Sequence, residues 1–339
     1  MQPDLAIDLG TSNVRIWVKN KGIVIDEPSV LTIRAEDGEV LAVGREAYEM
    51  MGKTSARKRV LCPLNGGHIA DMEMAEAMLK AFLKKAVSSS VGMPKAVVSI
   101  PSKMTEVEKT AIVNTVSGAG VRRTAVIEEP VAAAMGANLD IGSAHGALIV
   151  NMGGGVTDMA VISLGRTAVS RAVRYAGNLM DEEIIRYVKN TYNMLIGKRT
   201  AERAKIEAGS VIEGTVPGSY AVKGKCLITG RPIQADMDAE ELVAPLKKCV
   251  QPIMSKIEEI LLETPPELIG DIQTDGILLT GGAAQLRGID RLIHQATDLK
   301  VRVAEEPSLC VVKGCGEALR YMGMSTSPKN GINPLLAQY

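Results

Sequence analysis

Short apolar runs alternate along this chain with stretches whose apolar residues recur every three or four positions. Leu5-Ala-Ile, Ile23-Val-Ile, Ala96-Val-Val-Ser-Ile100 and Thr124-Ala-Val-Ile127 are strand-like runs, and 28–33 reads as another. Met74, Met78 and Phe82, with Leu79 and Leu83 beside them, predict an amphipathic helix at about 72–87. Thr105-Glu-Val-Glu108 is a capping box whose helix stops at Gly118-Ala-Gly120. The run ending at Ile127 leads through Glu128-Glu129-Pro130 into an alanine-rich helix that ends near Gly136.

From Ala147 the pattern repeats with variations. Two apolar runs spanning 147–164 flank a turn, 169–174 is a strand, and Asp181-Glu-Glu183 forms the first turn of a helix through Leu195. Thr200 caps another helix, and 211–233 reads as a small antiparallel patch. Asp238-x-x-Glu241 opens a long helix that Pro245 and Pro252 should kink or divide. A strand at 276–280 hands over at Gly281 to a helix through Ala296. The last strand is 301–303, a helix covers 308–321, and the remainder from Met322 reads as a tail. Strands alternating with helices in this way mean an α/β fold with the sheet buried between helices.

Two of the hairpins share an unusual layout. Leu5-Ala-Ile-Asp8-Leu-Gly10-Thr11-Ser12-Asn13 and Leu148-Ile-Val-Asn151-Met-Gly153-Gly154-Gly155 each run from an apolar strand through a polar residue and a spacer into glycine and small residues. Three consecutive glycines weaken a hairpin, since each loses backbone entropy and has no side chain to pack. What they offer is close approach, because bare N–H groups can converge on an anion. Singly, either turn reads equally well as an ordinary hairpin. As a pair one domain-length apart, they describe a cleft that grips phosphate from both sides, with Asp8 near a divalent cation.

Composition narrows the classes. At 339 residues the chain suits two domains. Lys plus Arg equals Asp plus Glu at 39 each, so no net field favours nucleic acid or an anionic membrane. Aromatics make up 3% of the chain while methionine numbers 17, so the cores must be aliphatic and methionine-filled and offer no stacking platform for nucleic acid. Five cysteines without CxxC spacing and three scattered histidines argue against zinc or a disulfide framework and for reduced thiols in a cytosol. No run approaches the length of a membrane span, and the first residues lack the features of a signal peptide.

Other candidates read two ways on local grounds. Thr280-Gly281-Gly282-Ala283-Ala284 is either a plain βα turn or a bare surface at a helix start for a ring or phosphate. Glu129, stiffened by Pro130, is either a carboxylate meeting a helix dipole or one that orients a water for attack on a terminal phosphate. Glu202 and Lys205 could be a surface ion pair.

Asp8-Leu-Gly-Thr, Asn151-x-Gly-Gly-Gly-x-Thr and Thr280-Gly-Gly-Ala, in this order and spacing, resemble the actin/Hsp70/sugar-kinase nucleotide-binding superfamily. Within it the chain is most similar to the MreB family of bacterial actin-like cell-shape proteins. Gly22-Ile-Val-Ile-Asp-Glu-Pro-Ser-Val, Ile127-Glu-Glu-Pro-Val-Ala-Ala-Ala, Tyr192-Asn-Met-Leu-Ile-Gly-Lys-Arg-Thr-Ala-Glu-Arg-Ala-Lys-Ile-Glu and Thr264-Pro-Pro-Glu-Leu extend the likeness over about 4 to 321.

The resemblance implies duplicated actin-like (ribonuclease H-like) domains with a nucleotide cleft between them and a small inserted subdomain in each. Domain I would be 1–140 plus 308–339, with its small subdomain at about 34–68. Domain II would be 141–307, with its small subdomain at about 182–252. ATP or ADP with Mg²⁺ would lie between phosphate loops Gly10, Thr11, Ser12, Asn13 and Gly153, Gly154, Gly155. Glu202, Arg203, Ala204 and Lys205 would contact ribose and adenine, and Gly281, Gly282, Ala283 and Ala284 would pack under the adenosine. Glu129 would position the hydrolytic water, and Asp8 would hold the metal through water.

Such proteins polymerise head-to-tail with themselves into paired protofilaments at the inner membrane surface, guide the cell-wall elongation machinery and hydrolyse ATP slowly. Three positions depart from the family pattern. Asn151 stands where Asp is usual and weakens that metal position, Val156 replaces Thr, and Ala283 replaces Gly. The 88–94 loop carries only Val91 and Met93 besides its proline, so membrane contact would be weak. Rival readings are a paralogue that binds nucleotide and co-assembles but barely hydrolyses it, a phosphotransferase, which would need an aspartate base not evident here, and a chaperone ATPase, whose substrate domain would begin where this chain ends.

Overall fold

The structure, a computed structural model, describes residues 4–87, 93–321 and 337–338. The chain opens with an antiparallel meander, β1 (Asp4–Leu9), β2 (Asn13–Val18) and β3 (Gly22–Pro28). It leaves that sheet for a small three-stranded one, β4 (Leu31–Arg34), β5 (Val40–Val43) and β6 (Lys58–Leu61), with helix α1 (Arg45–Met50) between the last two. A short hairpin of β7 (Leu64–Asn65) and β8 (His68–Ile69) leads into α2 (Met72–Ala86). Two parallel βα units follow: β9 (Lys95–Ile100) with α3 (Glu106–Gly118), and β10 (Arg123–Glu128) with α4 (Glu129–Gly136).

The second half repeats the plan. Its meander is β11 (Ala147–Met152), β12 (Thr157–Ser163) and β13 (Arg166–Val173), followed by α5 (Gly177–Tyr192). The inserted piece is β14 (Met194–Leu195), α6 (Lys198–Ala208), β15 (Ser219–Cys226) and β16 (Pro232–Asp238). Then come α7 (Val243–Glu263), α8 (Pro266–Asp275), β17 (Ile277–Thr280), α9 (Ile289–Thr297) and β18 (Val301–Val303). The chain ends with α10 (Cys310–Ala318) and β19 (Ala337–Gln338).

The two main sheets have the same order. One runs β10-β9-β1-β2-β3, with β19 added at its edge, and the other runs β18-β17-β11-β12-β13. In each, the meander is antiparallel and the inner βα strand joins it parallel. This is the duplicated actin-like architecture.

Strand alternation sorts the core into layers. Leu5 and Ile7 face a cluster with Met78, Leu79 and Phe82 of α2, while Ala6 faces the other way. There it meets Val97, Ala125, Ile149 and Ala160, so the faces that the two sheets turn toward each other are lined largely by small residues. Small side chains leave room for α4 and α10, which cross between the sheets almost backbone to backbone. A Cβ on Gly136 would lie 1.9 Å from the Cys310 carbonyl, and one on Gly314 would lie 1.8 Å from that of Ala132. The outer core of the second half is aliphatic and methionine-rich, as expected, with Met152, Met159, Met180, Met194 and Met237 buried.

Several boundaries differ from the sequence expectation. The run at 28–33 is not one strand: β3 ends at Pro28, and β4 restarts at Leu31 in the small sheet. Helix α5 begins at Gly177, four residues before the acidic cluster, because the Gly177 and Asn178 N–H groups bond to the Gly153 and Gly154 carbonyls. Gly197, not Thr200, sits at the N-cap of α6. The antiparallel patch covers β15 and β16 rather than 211–233. Pro252 lies inside a continuous α7 and does not divide it. Helix α8 is additional, and its Pro266 occupies the helix start, where a missing N–H costs nothing. No α-helix starts at Gly281: a 3₁₀ turn of four residues, Gly282–Gln285, intervenes before α9. Of the expected tail, 337–338 pair with β10, while 322–336 and most of the 88–94 loop lie outside the described residues.

Candidate functional site

The β1–β2 and β11–β12 turns are built alike and face each other across a cleft of about 620 Å³. That size suits a small-molecule site. In the first turn the Gly10 N–H bonds the Asn13 carbonyl at 3.1 Å; in the second, the Gly153 N–H bonds that of Val156 at 3.0 Å. The loops touch where they lack side chains. A Cβ on Gly154 would stand 1.9 Å from Ser12 Oγ, and one on Gly155 2.4 Å from Thr11 Oγ1. Ser12 Oγ donates to Asn178 Oδ1 at the start of α5 (2.9 Å), and Thr11 Oγ1 accepts the Gly67 N–H from the β7–β8 turn (2.9 Å). The glycines therefore serve a close contact between the halves.

At the floor of the cleft stand Asp8, Glu129 and Asn151. Asp8, next to last in β1, lies opposite Arg15, whose Nη1 is 3.3 Å from Oδ2, and Ser99 Oγ donates to Oδ1 at 3.3 Å. Burial pushes the Asp8 carboxyl up, and Arg15 pulls it part of the way back. Glu129 opens α4, which Pro130 stiffens. Burial, reinforced by the charges of Asp8 and Asp158, raises Glu129 well above the usual carboxylate range. Asn151 opposes that shift by donating its amide Nδ2–H to Glu129 Oε2 at 2.9 Å, while its Oδ1 accepts from the Thr280 hydroxyl at 3.2 Å. Glu128 turns away to Thr167 (2.8 Å).

The other end of the cleft is less polar. Glu202, Lys205, Ile206 and Gly209 of the α6 stretch face Gly281, Gly282, Ala283 and Leu286 across it. Ile206 is 63% exposed, an apolar side chain at the rim. Gly281, at φ 85°, lies so close to β11 that a Cβ would meet the Met152 carbonyl at 2.3 Å. Lys205 Nζ is anchored to Asp181 (2.7 Å) and to the Gly177 carbonyl (2.9 Å).

Three residues expected at the site are elsewhere. Arg203 reaches outward to the Tyr220 hydroxyl at 3.0 Å, and Ala204 and Ala284 are buried in the core. Sequence reasoning missed Gly67, Asn178, Ile206 and Arg287, all of which line the cleft. It also missed Asp158, which is fully buried and takes the Ser102 N–H at 2.5 Å and the Ser102 hydroxyl, tying β12 to the loop after β9. Burial lifts Asp158 to about 7 despite the Ser102 hydrogen bonds, and it lifts Asp181 to about 6 despite Lys205.

These two groups set a pH dependence, in the same sense as the upward-shifted Asp8 and Glu129. A carboxyl raised in the fold binds protons that the unfolded chain releases, so stability is gained as pH falls and is lost as it rises toward the folded pKa. Between pH 8 and 5.5 the melting temperature of the nucleotide-free protein is expected to rise by a few degrees. Asp158→Asn is expected to remove part of that slope, and a melting temperature that instead rises with pH over this window would contradict the assignment.

Among the described residues no helix is long and apolar enough to cross a membrane, and no group of three or more His, Cys, Asp or Glu could hold a metal unaided. All five cysteines are free thiols. The MreB/Mbl protein family model matches residues 2–327. Over 327 residues the chain is 42% identical to the cell shape-determining protein MreB of Escherichia coli K12, covering 95% of this chain and 94% of that protein. It is 40% identical to the cell shape-determining protein Mbl of Bacillus subtilis over 94% of this chain and 96% of that one. The crystal structure of MreB5 of Spiroplasma citri bound to ADP superposes with a TM-score of 0.91 at 34% identity, covering 98% of this chain and 99% of that one. With its paired glycine hairpins, its two like-ordered sheets and these matches over nearly its whole length, the chain belongs to the MreB/Mbl family of actin-like proteins.

Proposed function

We propose that this protein binds ATP or ADP between its two halves and assembles head-to-tail into paired protofilaments that organise the cell-wall elongation machinery from the cytoplasmic side of the membrane. The observation that carries the reading is the pair of glycine turns, each closed by the same hydrogen bond, facing each other over a cleft. The ADP-bound relative supports it. In this reading 1–140 with 308–339 and 141–307 are the two domains that close on the nucleotide, and weak membrane contact is left to the 88–94 loop.

Gly10 to Asn13 and Gly153 to Gly155 cradle the phosphates with the backbone N–H groups of the two turns other than those of Gly10 and Gly153, which close the turns themselves. Glu202 and Ile206 bracket the nucleoside against Gly281 to Ala283. The acid floor fits a divalent cation held with the phosphates: Asp8 is a buried carboxylate beside a second one, and Arg15, its only side-chain cation contact among the described residues, is shared with Asp26 at 3.0 Å. Mg²⁺ there, held by Asp8 through water, would neutralise phosphate charge. Glu129 accepts the proton of the attacking water, and raising its pKa by burial makes it a stronger base once ionised. Equilibrium binding of a base-labelled ATP analogue, with and without Mg²⁺, tests the site. Micromolar affinity that needs the metal is expected, and absence of binding would refute the cleft assignment.

A second reading, nucleotide binding and co-assembly with little hydrolysis, is favoured by one observation. Asn151 brings a neutral amide to the acid floor and spends its N–H on Glu129.

A further inference from the structure

One contact crosses the mouth of the cleft and has no part in the phosphate chemistry. Tyr48, on α1 of the first half's small sheet, donates its hydroxyl to Glu202 Oε2 on α6 of the second half. Arg199, one turn before Glu202 on the same helix face, lays its guanidinium 5.0 Å from the centre of the Tyr48 ring. Its Nη1 donates to the Glu49 carbonyl at 3.1 Å. Two residues of α1 thus grip two residues of α6. Burial and the Glu202 carboxylate push the Tyr48 hydroxyl upward, so it remains a donor at neutral pH. Glu202 lines the cleft, and its second oxygen, Oε1, has no hydrogen bond among the described residues.

We propose that Tyr48 is a positioning residue of the nucleotide site: by holding one oxygen of Glu202 it presents the other to a sugar hydroxyl, so that an intact ribose and closure of the two small sheets support each other. The proposal rests on the reading of the cleft as a nucleotide site. It differs from a simple clasp, which would hold the halves together whatever sugar lay between them. A charge-assisted hydrogen bond across a partly buried gap is strong enough to register in affinity.

Calorimetric affinities for ATP and 2′,3′-dideoxy-ATP in the wild type, Tyr48→Phe, Glu202→Gln and the double variant test it. Tyr48→Phe is expected to weaken ATP about tenfold and dideoxy-ATP hardly at all, and to add nothing on top of Glu202→Gln. Arg199→Lys, which leaves the tyrosine in place but loses the planar stack, is expected to shift ATP in the same sense. An ATP affinity within about twofold of wild type in Tyr48→Phe would overturn the proposal, as would equal weakening of both nucleotides. Failure of the wild type to bind either nucleotide would instead bring down the cleft reading, and the proposal with it.

Discussion

Replacing Glu129 by glutamine is expected to lower phosphate release at least about a hundredfold while leaving ATP affinity equal to or tighter than wild type. The amide has the shape of the carboxylate, and its oxygen can still accept the Asn151 N–H that now reaches Oε2 at 2.9 Å. Packing at the head of α4 is therefore kept, and only the basic group is lost. Binding should not suffer, because the variant takes away a buried carboxyl that Asp8 on the same floor and Asp158 buried behind it already repel. Wild-type phosphate release should also show an acid limb set by Glu129, since burial raises its pKa and the base works only when ionised. A glutamine variant that keeps more than about a tenth of the activity would remove Glu129 from the chemistry. Wild-type release indistinguishable from buffer would establish the weakly hydrolysing alternative.

The second large effect is expected at the loop contact. Gly155→Ala would place a methyl 2.4 Å from Thr11 Oγ1 and 2.8 Å from its Cβ, atoms that cannot swing away without moving the loop. The two phosphate loops must then separate, and the N–H groups of one or the other leave register with the phosphates. A loss of roughly a hundredfold in ATP affinity is expected, comparable to the cost of misplacing reacting groups by about an ångström. Gly270→Ala on α8 is the control. Its Cβ would meet nothing within 4 Å, so binding should be unchanged and stability at most slightly raised. Equal behaviour of the two variants would mean that the glycine turns do not shape the site.

Local chemistry made the phosphate end legible. A glycine turn closed by its own hydrogen bond, as at Gly10–Asn13 and Gly153–Val156, depends on few distant residues, and both capping boxes, Thr105 with Glu108 and Asp238 with Glu241, form, although the second caps a 3₁₀ turn at Ala239–Leu242 ahead of α7 rather than the long helix itself. What could not be read depends on contacts far apart in sequence. The start of α5 is set by carbonyls of the second glycine turn, so Asp181 caps nothing and pairs with Lys205 instead. Helical periodicity corrects the contiguous run expected at 202–205. Residues three to four apart share a face, so Glu202, Lys205, Ile206 and Gly209 reach the cleft while Arg203 and Ala204 cannot. The bond from Asn151 to Glu129 and the grip of Ser102 on Asp158 join strand and helix ends that come together only in the folded protein.

Nucleotide in this cleft is proposed to drive self-assembly. Sedimentation with negative-stain imaging, run on wild type and Gly155→Ala with Mg-ATP and without nucleotide, tests it most directly. Pelletable paired filaments are expected from wild-type protein with Mg-ATP and none from Gly155→Ala at the same concentration. Wild-type protein that binds ATP but stays in the supernatant without filaments across salt and Mg²⁺ conditions would contradict it.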